Sequence, residues 1–227
     1  MTDEVVVQTI AEHYQKTFEI THETWKERNN LFVYLVLTTS VGLLMLLRVP
    51  QLNSLLVDAI AKLLGITDLT RIAQLYKDFP FDILLSVFLV IIFYFMQKLY
   101  STNLSVMRNY LYMGAVEDEI RQHLGLSAGS VAFTREGRFY WGERTMTQKI
   151  SKWYFVVVIS ILLLPFLILK LANDVSLGNG LVMVADFLVA LMTLAYFIEY
   201  ARSTVTLDVP KFLKPTPAGH AKSDKKK

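Results

Sequence analysis

The stretch WYFVVVISILLLPFLIL, residues 153–169, decides the fold because it runs for 17 residues without a charged side chain. An α-helix rises about 1.5 Å per residue, and the hydrocarbon core of a bilayer is about 30 Å thick. With its flanking residues this run is long enough to cross a bilayer, and it is more apolar than a small soluble protein needs. The sequence therefore predicts a transmembrane helix at this position.

Three further runs of the chain have the same character and almost no charge. They are LFVYLVLTTSVGLLMLL (31–47), FDILLSVFLVIIFYFM (81–96) and LVMVADFLVALMTLAYFIEY (181–200). Four such runs exceed what the core of a soluble helical bundle requires, which disfavours that alternative. We therefore predict an all-α integral membrane protein whose four transmembrane helices form two hairpins, at residues 31–47, 81–100, 153–172 and 181–200.

Lysine and arginine are distributed unequally between the two sides of the predicted membrane. Of the 23 in the chain, 18 lie in the two terminal segments and in the connection between the second and third apolar runs. Positively charged residues collect in cytoplasmic loops, and an even number of crossings brings both termini to one side. The predicted N- and C-termini are therefore cytoplasmic. Tyr100, Trp153 and Tyr200 lie at the same predicted interface, as expected of an aromatic belt.

The predicted cytoplasmic module consists of residues 1–30 and 101–152. Apolar residues recur at helical spacing in the first segment, which predicts an amphipathic helix that packs on the second segment. These residues are Val6, Ile10, Tyr14, Phe18 and Trp25. The second segment continues the preceding helix to a stop signal at residues 124–125. The sequence SVAFTREGRFYW, residues 130–141, then predicts a small β-hairpin.

The remaining segments are two outer loops and a tail. Residues 48–80 form the long loop, in which leucine and isoleucine share one helical face and predict amphipathic helices at the outer interface. Residues 173–180 form a short loop. Residues 201–227 end in KPTPAGHAKSDKKK, a composition typical of a disordered basic tail that could also bind anionic lipid headgroups.

The sequence contains none of the motifs by which enzymes and cofactor-binding proteins are recognised. Its four histidines have no partner at metal-ligand spacing, and it has no nucleotide-binding glycine loop and no nucleophile motif. We therefore expect no enzymatic activity, no cofactor, no metal site and no nucleic acid partner.

A basic cluster interleaved with aromatic residues precedes the third apolar run. It comprises Arg135, Arg138, Arg144, Lys149 and Lys152. These side chains could hold an anionic ligand or the headgroup of an anionic lipid. The alternative is that they only anchor the chain at the cytoplasmic interface, as positively charged residues there commonly do.

Asp186 is an ionisable residue inside an otherwise apolar run. Facing lipid would cost it about 2.5 kcal/mol or more, so its side chain should face protein or water. The turn between the third and fourth helices brings it to the depth of Pro165, with Lys170 within reach. The functional interpretation is an ion or proton pathway. The alternatives are a structural pair with Lys170 and an aspartate hydrated at the interface.

The tract YLYMGAVEDEIRQHLG, residues 110–125, followed by FTREGRFYW, residues 133–141, resembles small bacterial four-helix membrane proteins, some of which accompany defence systems. The resemblance covers only this part of the chain and assigns no functional residue. It implies a protein of the bacterial inner membrane.

These observations favour a non-enzymatic membrane protein that forms a homo-oligomer. Its cytoplasmic module would bind a partner protein or signal, and its membrane part would respond, as in a bacterial defence-type effector. The alternative is a small ion channel or transporter subunit that uses Asp186. A membrane-embedded enzyme acting on lipid ranks last because the sequence offers no catalytic set.

The predicted orientation can be tested by labelling, because the chain contains no cysteine. The variants Ser54→Cys and Asn179→Cys should react with a membrane-impermeant thiol reagent in intact cells, since both positions lie in predicted outer loops. The variant Ser127→Cys should react only after the cells are opened. Labelling of Ser127→Cys alone in intact cells would overturn the orientation.

Overall fold

The computed structural model describes residues 3–47, 49–127, 146–178 and 180–206. In these ranges the chain is helical and contains no strand. The helices are α1 (Asp3–Leu46), α2 (Pro50–Leu63), α3 (Leu69–Asp78), α4 (Phe81–His123), α5 (Met146–Leu177) and α6 (Gly180–Thr206). The hairpin predicted at residues 130–141 lies outside the described residues, so no strand in the described part supports it.

Four of the described helices, α1, α4, α5 and α6, are long and apolar enough to cross a membrane. Their number confirms the prediction of four transmembrane helices, and the chain is a multi-pass membrane protein. With 14 and 10 residues, α2 and α3 are too short to cross. Asp68 caps α3, and hydrogen bonds from the Thr70 hydroxyl and backbone N–H lower the pKa of the Asp68 carboxyl.

Two of the helices extend well beyond the length of a membrane crossing. α1 has 44 residues and α4 has 43, so each is about 65 Å long, twice the thickness of the hydrocarbon core. The sequence between residues 3 and 41 contains neither glycine nor proline, and the predicted amphipathic helix therefore continues into the first transmembrane helix without a break. α4 ends at His123, and Gly125, two residues later, has a φ of 60°, which suits a residue without a side chain.

The four long helices alternate in direction along the chain, and they pack as a bundle in the cyclic order α1, α4, α6, α5. α1 runs antiparallel to α4, with the Tyr34 and Phe95 rings 5.9 Å apart. It runs parallel to α5, with Phe32 and Phe155 at 4.8 Å. We call the end where α1 and α5 begin the terminal end of the bundle. The opposite end, which carries α2, α3 and the turn at Gly178, is the loop end.

The core lies between the four helices and is built from large apolar side chains. Its buried members include Leu35, Leu89, Ile92, Met96, Ile159, Leu163 and Phe166. The outward faces of the same helices are apolar as well, and residues such as Ile161, Ile168 and Leu188 are more than half exposed. So much exposed apolar surface is unfavourable in water, and in a bilayer it contacts lipid tails.

Gly42 allows α1 and α5 to approach each other closely. A Cβ atom at this position would lie 2.7 Å from Cε2 of Phe166, a residue that is fully buried. Helices in lipid associate largely through close packing, because lipid tails are as apolar as the side chains they would replace. The missing side chain at Gly42 therefore leaves room for the Phe166 ring in the core.

Candidate functional site

Three charged side chains meet inside the bundle near its loop end: Lys170, Asp174 and Asp186. We call them the charged cluster. Lys170 is 0% exposed, and each of the two aspartates is 4% exposed. The Lys170 ammonium donates to Asp174 Oδ1 and, at 2.5 Å, to Asp186 Oδ2. One lysine thus bridges two carboxylates in surroundings that exclude water.

Helix geometry explains why these residues meet. Lys170 and Asp174 are four residues apart on α5, so they share one face of that helix. Lys170 lies seven residues before the end of α5, and Asp186 lies six residues after the start of α6. The tight turn at Gly178, whose φ is 70°, therefore brings them to the same depth, about 10 Å below the helix ends.

Helix α4 adds polar groups to the charged cluster. The Ser86 hydroxyl donates to Asp186 Oδ2 at 2.6 Å. One turn nearer the loop end, Asn173 Nδ2 of α5 donates to Asp82 Oδ1 of α4 at 2.9 Å. These contacts tie α4 to both α5 and α6, so three of the four long helices meet through polar groups at this level.

The charged cluster offers one ammonium group and two carboxyl groups, which can carry charge and bind protons. The part of the chain that the structure describes contains no group of three His, Cys, Asp or Glu residues that could hold a metal ion. Asp174 Oδ2 is buried and has no hydrogen-bond partner. A buried polar atom without a partner is costly, so this oxygen requires an explanation.

Three residues were predicted to form a polar site in the membrane region, and the structure brings two of them together. Asp186 and Lys170 form the ion pair that was one of the predicted alternatives. Pro165 does not belong with them, because it lies five residues before Lys170 on α5 and therefore about 140° away around the helix axis. Half-buried Pro165 lacks an N–H group and cannot donate to the carbonyl one turn earlier.

Sequence reasoning missed Asp174 and Ser86. The third transmembrane helix was predicted to end at residue 172, which placed Asp174 in the outer loop, whereas α5 continues to Leu177. The spacing of four residues between Lys170 and Asp174 was a signal for their pairing. No comparable signal marks Ser86, because serines in membrane helices usually bond only to the backbone.

The predicted basic cluster falls largely outside the described part. Arg135, Arg138 and Arg144 belong to residues that the structure does not describe. Lys149 and Lys152 lie in the first turns of α5, but their side chains are outside the described set. Their binding of an anionic ligand stays a prediction.

A second polar network lies toward the terminal end, where no site was predicted. Arg28 Nη1 of α1 donates to Asn103 Oδ1 of α4 at 3.4 Å, and the Arg28 guanidinium lies 5.8 Å from the Trp25 ring. Asn103 Nδ2 in turn donates to the Ser203 hydroxyl of α6 at 3.3 Å. This network ties α1, α4 and α6 together and satisfies polar groups that would otherwise be buried alone.

No protein-family model matches the chain, and no curated protein or solved structure matches it either. The resemblance of residues 110–141 to bacterial four-helix membrane proteins therefore stays a prediction.

Lys170→Met should lower the free energy of unfolding at neutral pH by about 3 kcal/mol or more, because it leaves the buried side chains of Asp174 and Asp186 without the ammonium that bonds to both. Denaturant unfolding of the purified protein in detergent measures this loss. Lys98→Met, the same change at an exposed position of α4, should cost less than about 0.5 kcal/mol. Equal stabilities for the two variants would show that Lys170 bridges nothing.

Proposed function

We propose that the protein is a non-enzymatic multi-pass membrane protein that works as a homo-oligomer. Its terminal end binds a second copy and a partner or signal, and its membrane part responds by changing the bilayer. The observation that carries this proposal is the extension of α1 and α4 beyond the length of a membrane crossing, as a pair of helices with exposed aromatic side chains.

The two extensions pack against each other through specific contacts. Tyr14 of α1 donates a hydrogen bond to Glu117 Oε1 of α4 at 2.9 Å. The His13 and Tyr112 rings meet edge to face at 5.9 Å, and Thr21 of α1 is buried. The amphipathic helix therefore packs on the second segment through Tyr14 and Thr21.

Two members of the predicted apolar stripe of α1 are left partly uncovered. Phe18 is 38% exposed and Trp25 is 40% exposed, and Ile20, which is not part of that stripe, is about half exposed. Phe18 and Trp25 are seven residues apart and lie on one face of α1. Exposed aromatic side chains on a rigid helix are typical of a surface that binds another protein, and aromatic residues contribute strongly to such interfaces. This face supports self-association.

The orientation and location of the protein are part of the proposal. The excess of lysine and arginine favours a cytoplasmic terminal end, with both termini in the cytoplasm. Lys149, Lys152 and the basic tail would then face anionic lipid headgroups. A bacterial inner membrane and a defence-type response, in which the oligomer perturbs or permeates the bilayer, follow from the resemblance of residues 110–141.

The second candidate function is that of a small ion channel or transporter subunit. The observation that favours it is the charged cluster, because ionisable groups inside a membrane commonly mark ion or proton pathways. The competing explanation is structural, since Lys170 holds α5 and α6 together in either case.

Self-association can be measured by light scattering of the detergent-solubilised protein, which should give a protein mass that is a multiple of 26.0 kDa. Phe18→Asp and Trp25→Asp should reduce this mass, because each places a charge on the apolar face. Gln15→Asp introduces the same side chain at an exposed polar position of α1 and should leave the mass unchanged. A monomeric parent protein, or variants that assemble like the parent, would refute self-association through this face.

The second candidate function predicts that Asp186→Asn abolishes ion flux into liposomes that contain the purified protein, while the mass measured by light scattering stays the same. The amide keeps the shape of the carboxylate and removes its charge. Ser160→Ala is a control, because the Ser160 hydroxyl donates only within α5, to the Val156 carbonyl. Undiminished flux in Asp186→Asn, or no flux in the parent protein, would show that the charged cluster is not part of an ion pathway.

A further inference from the structure

The charged cluster has an imbalance of charge. With all groups ionised, the single positive charge of Lys170 faces the two negative charges of Asp174 and Asp186. Within the described residues, the surrounding helices do not balance the negative charge of the second carboxylate. Helix α4 contributes Asp82, which reaches α5 through Asn173, and residues 31–46 of α1 include no Asp, Glu, Lys, Arg or His. A net negative charge buried among apolar side chains is strongly unfavourable.

The two carboxylates of the charged cluster are not equivalent. Asp186 Oδ2 accepts hydrogen bonds from both the Lys170 ammonium and the Ser86 hydroxyl. Asp174 Oδ1 accepts from Lys170, but Asp174 Oδ2 is buried without any donor. Hydrogen bonds to a carboxylate favour its charged form, and burial without donors favours its neutral form. Asp174 Oδ2 is therefore the oxygen at which a bound proton would neutralise the charged cluster.

We propose that the charged cluster is a proton-binding site, in which Asp174 holds one exchangeable proton on Oδ2 while Lys170 stays bonded to Asp186. The proton is taken from water at the loop end and returned to it, and no other bond forms or breaks. This inference goes beyond the proposed function, because Asp174 can hold a proton whether or not the protein assembles or conducts ions.

A proton fits this place better than a metal cation. The position between the two carboxylates is already occupied by the Lys170 ammonium, which bonds to both. A metal ion at Asp174 Oδ2 would lie beside that ammonium and be repelled by it, and the described residues contain no group of three His, Cys, Asp or Glu side chains that could hold it. A proton needs a single oxygen, and Asp174 Oδ2 provides it.

Infrared spectroscopy of the purified full-length protein in lipid nanodiscs tests the proposal, because a protonated carboxyl has a C=O stretch separate from that of a carboxylate. At neutral pH the parent protein should show this band, and raising the pH should remove it. Asp174→Asn should lack the band, since its amide replaces the protonated carboxyl without changing the shape. Asp78→Asn, the same change at an exposed position of α3, is the matched control and should keep the band.

A second variant keeps the proposal testable if Asp174→Asn fails to fold. In Asp186→Asn the remaining Lys170–Asp174 pair is neutral without a proton, so the band should also disappear. The proposal is overturned if the parent shows no protonated carboxyl at any pH at which it is folded, or if the band persists in either variant. Loss of the band on adding sodium at constant pH would instead identify a site for a metal cation and would equally overturn it.

Discussion

The ion pairs of Lys170 with Asp174 and Asp186 are the interaction on which the loop end of the bundle depends. Removing a charged group from water costs several kcal/mol, and a pair of opposite charges offsets that cost only when the geometry is close and the remaining polar atoms are bonded. Lys170 bonds to a carboxylate on its own helix and to one on α6, and Asp174 Oδ2 is left without a hydrogen-bond partner. Because Ser86 of α4 bonds to Asp186 as well, the position of three helices is coupled to one ammonium group.

The rest of the bundle follows the constraint that lipid supplies no hydrogen bonds. Helices satisfy their own backbone groups, and the hydroxyls inside them do the same: Thr39 donates to the Leu35 carbonyl at 2.6 Å and Thr193 donates to the Val189 carbonyl at 2.7 Å. Close packing then decides which faces meet, as at Gly42. The charged cluster and the network around Asn103 link different helices through polar side chains, and large apolar side chains fill the core between these two levels.

The sequence was sufficient to predict the number of crossings and the burial of Asp186. Long runs without charge, and an isolated aspartate within one of them, have few stable arrangements in a bilayer. The sequence was not sufficient for helix ends. The third helix was predicted to stop at residue 172, so Asp174 was assigned to the outer loop. The polar residues that follow Lys170 are typical of a loop as long as their partners on α4 and α6 are unknown. Sequence reasoning also missed how α1 faces α4: the aromatic residues Phe18 and Trp25 are more apolar than Thr21, yet Thr21 is the buried residue.

A double-mutant cycle between Lys170 and Asp186 tests most directly the claim that this pair holds α5 to α6. The free energies of unfolding of the parent, Lys170→Met, Asp186→Asn and the double variant should give a coupling energy of about 1 kcal/mol or more. The exposed pair Arg202–Glu199, with a distance of 3.1 Å between its charged atoms, is the reference cycle, and its coupling should be about 0.5 kcal/mol or less. A Lys170–Asp186 coupling no larger than that of the exposed pair would contradict the account.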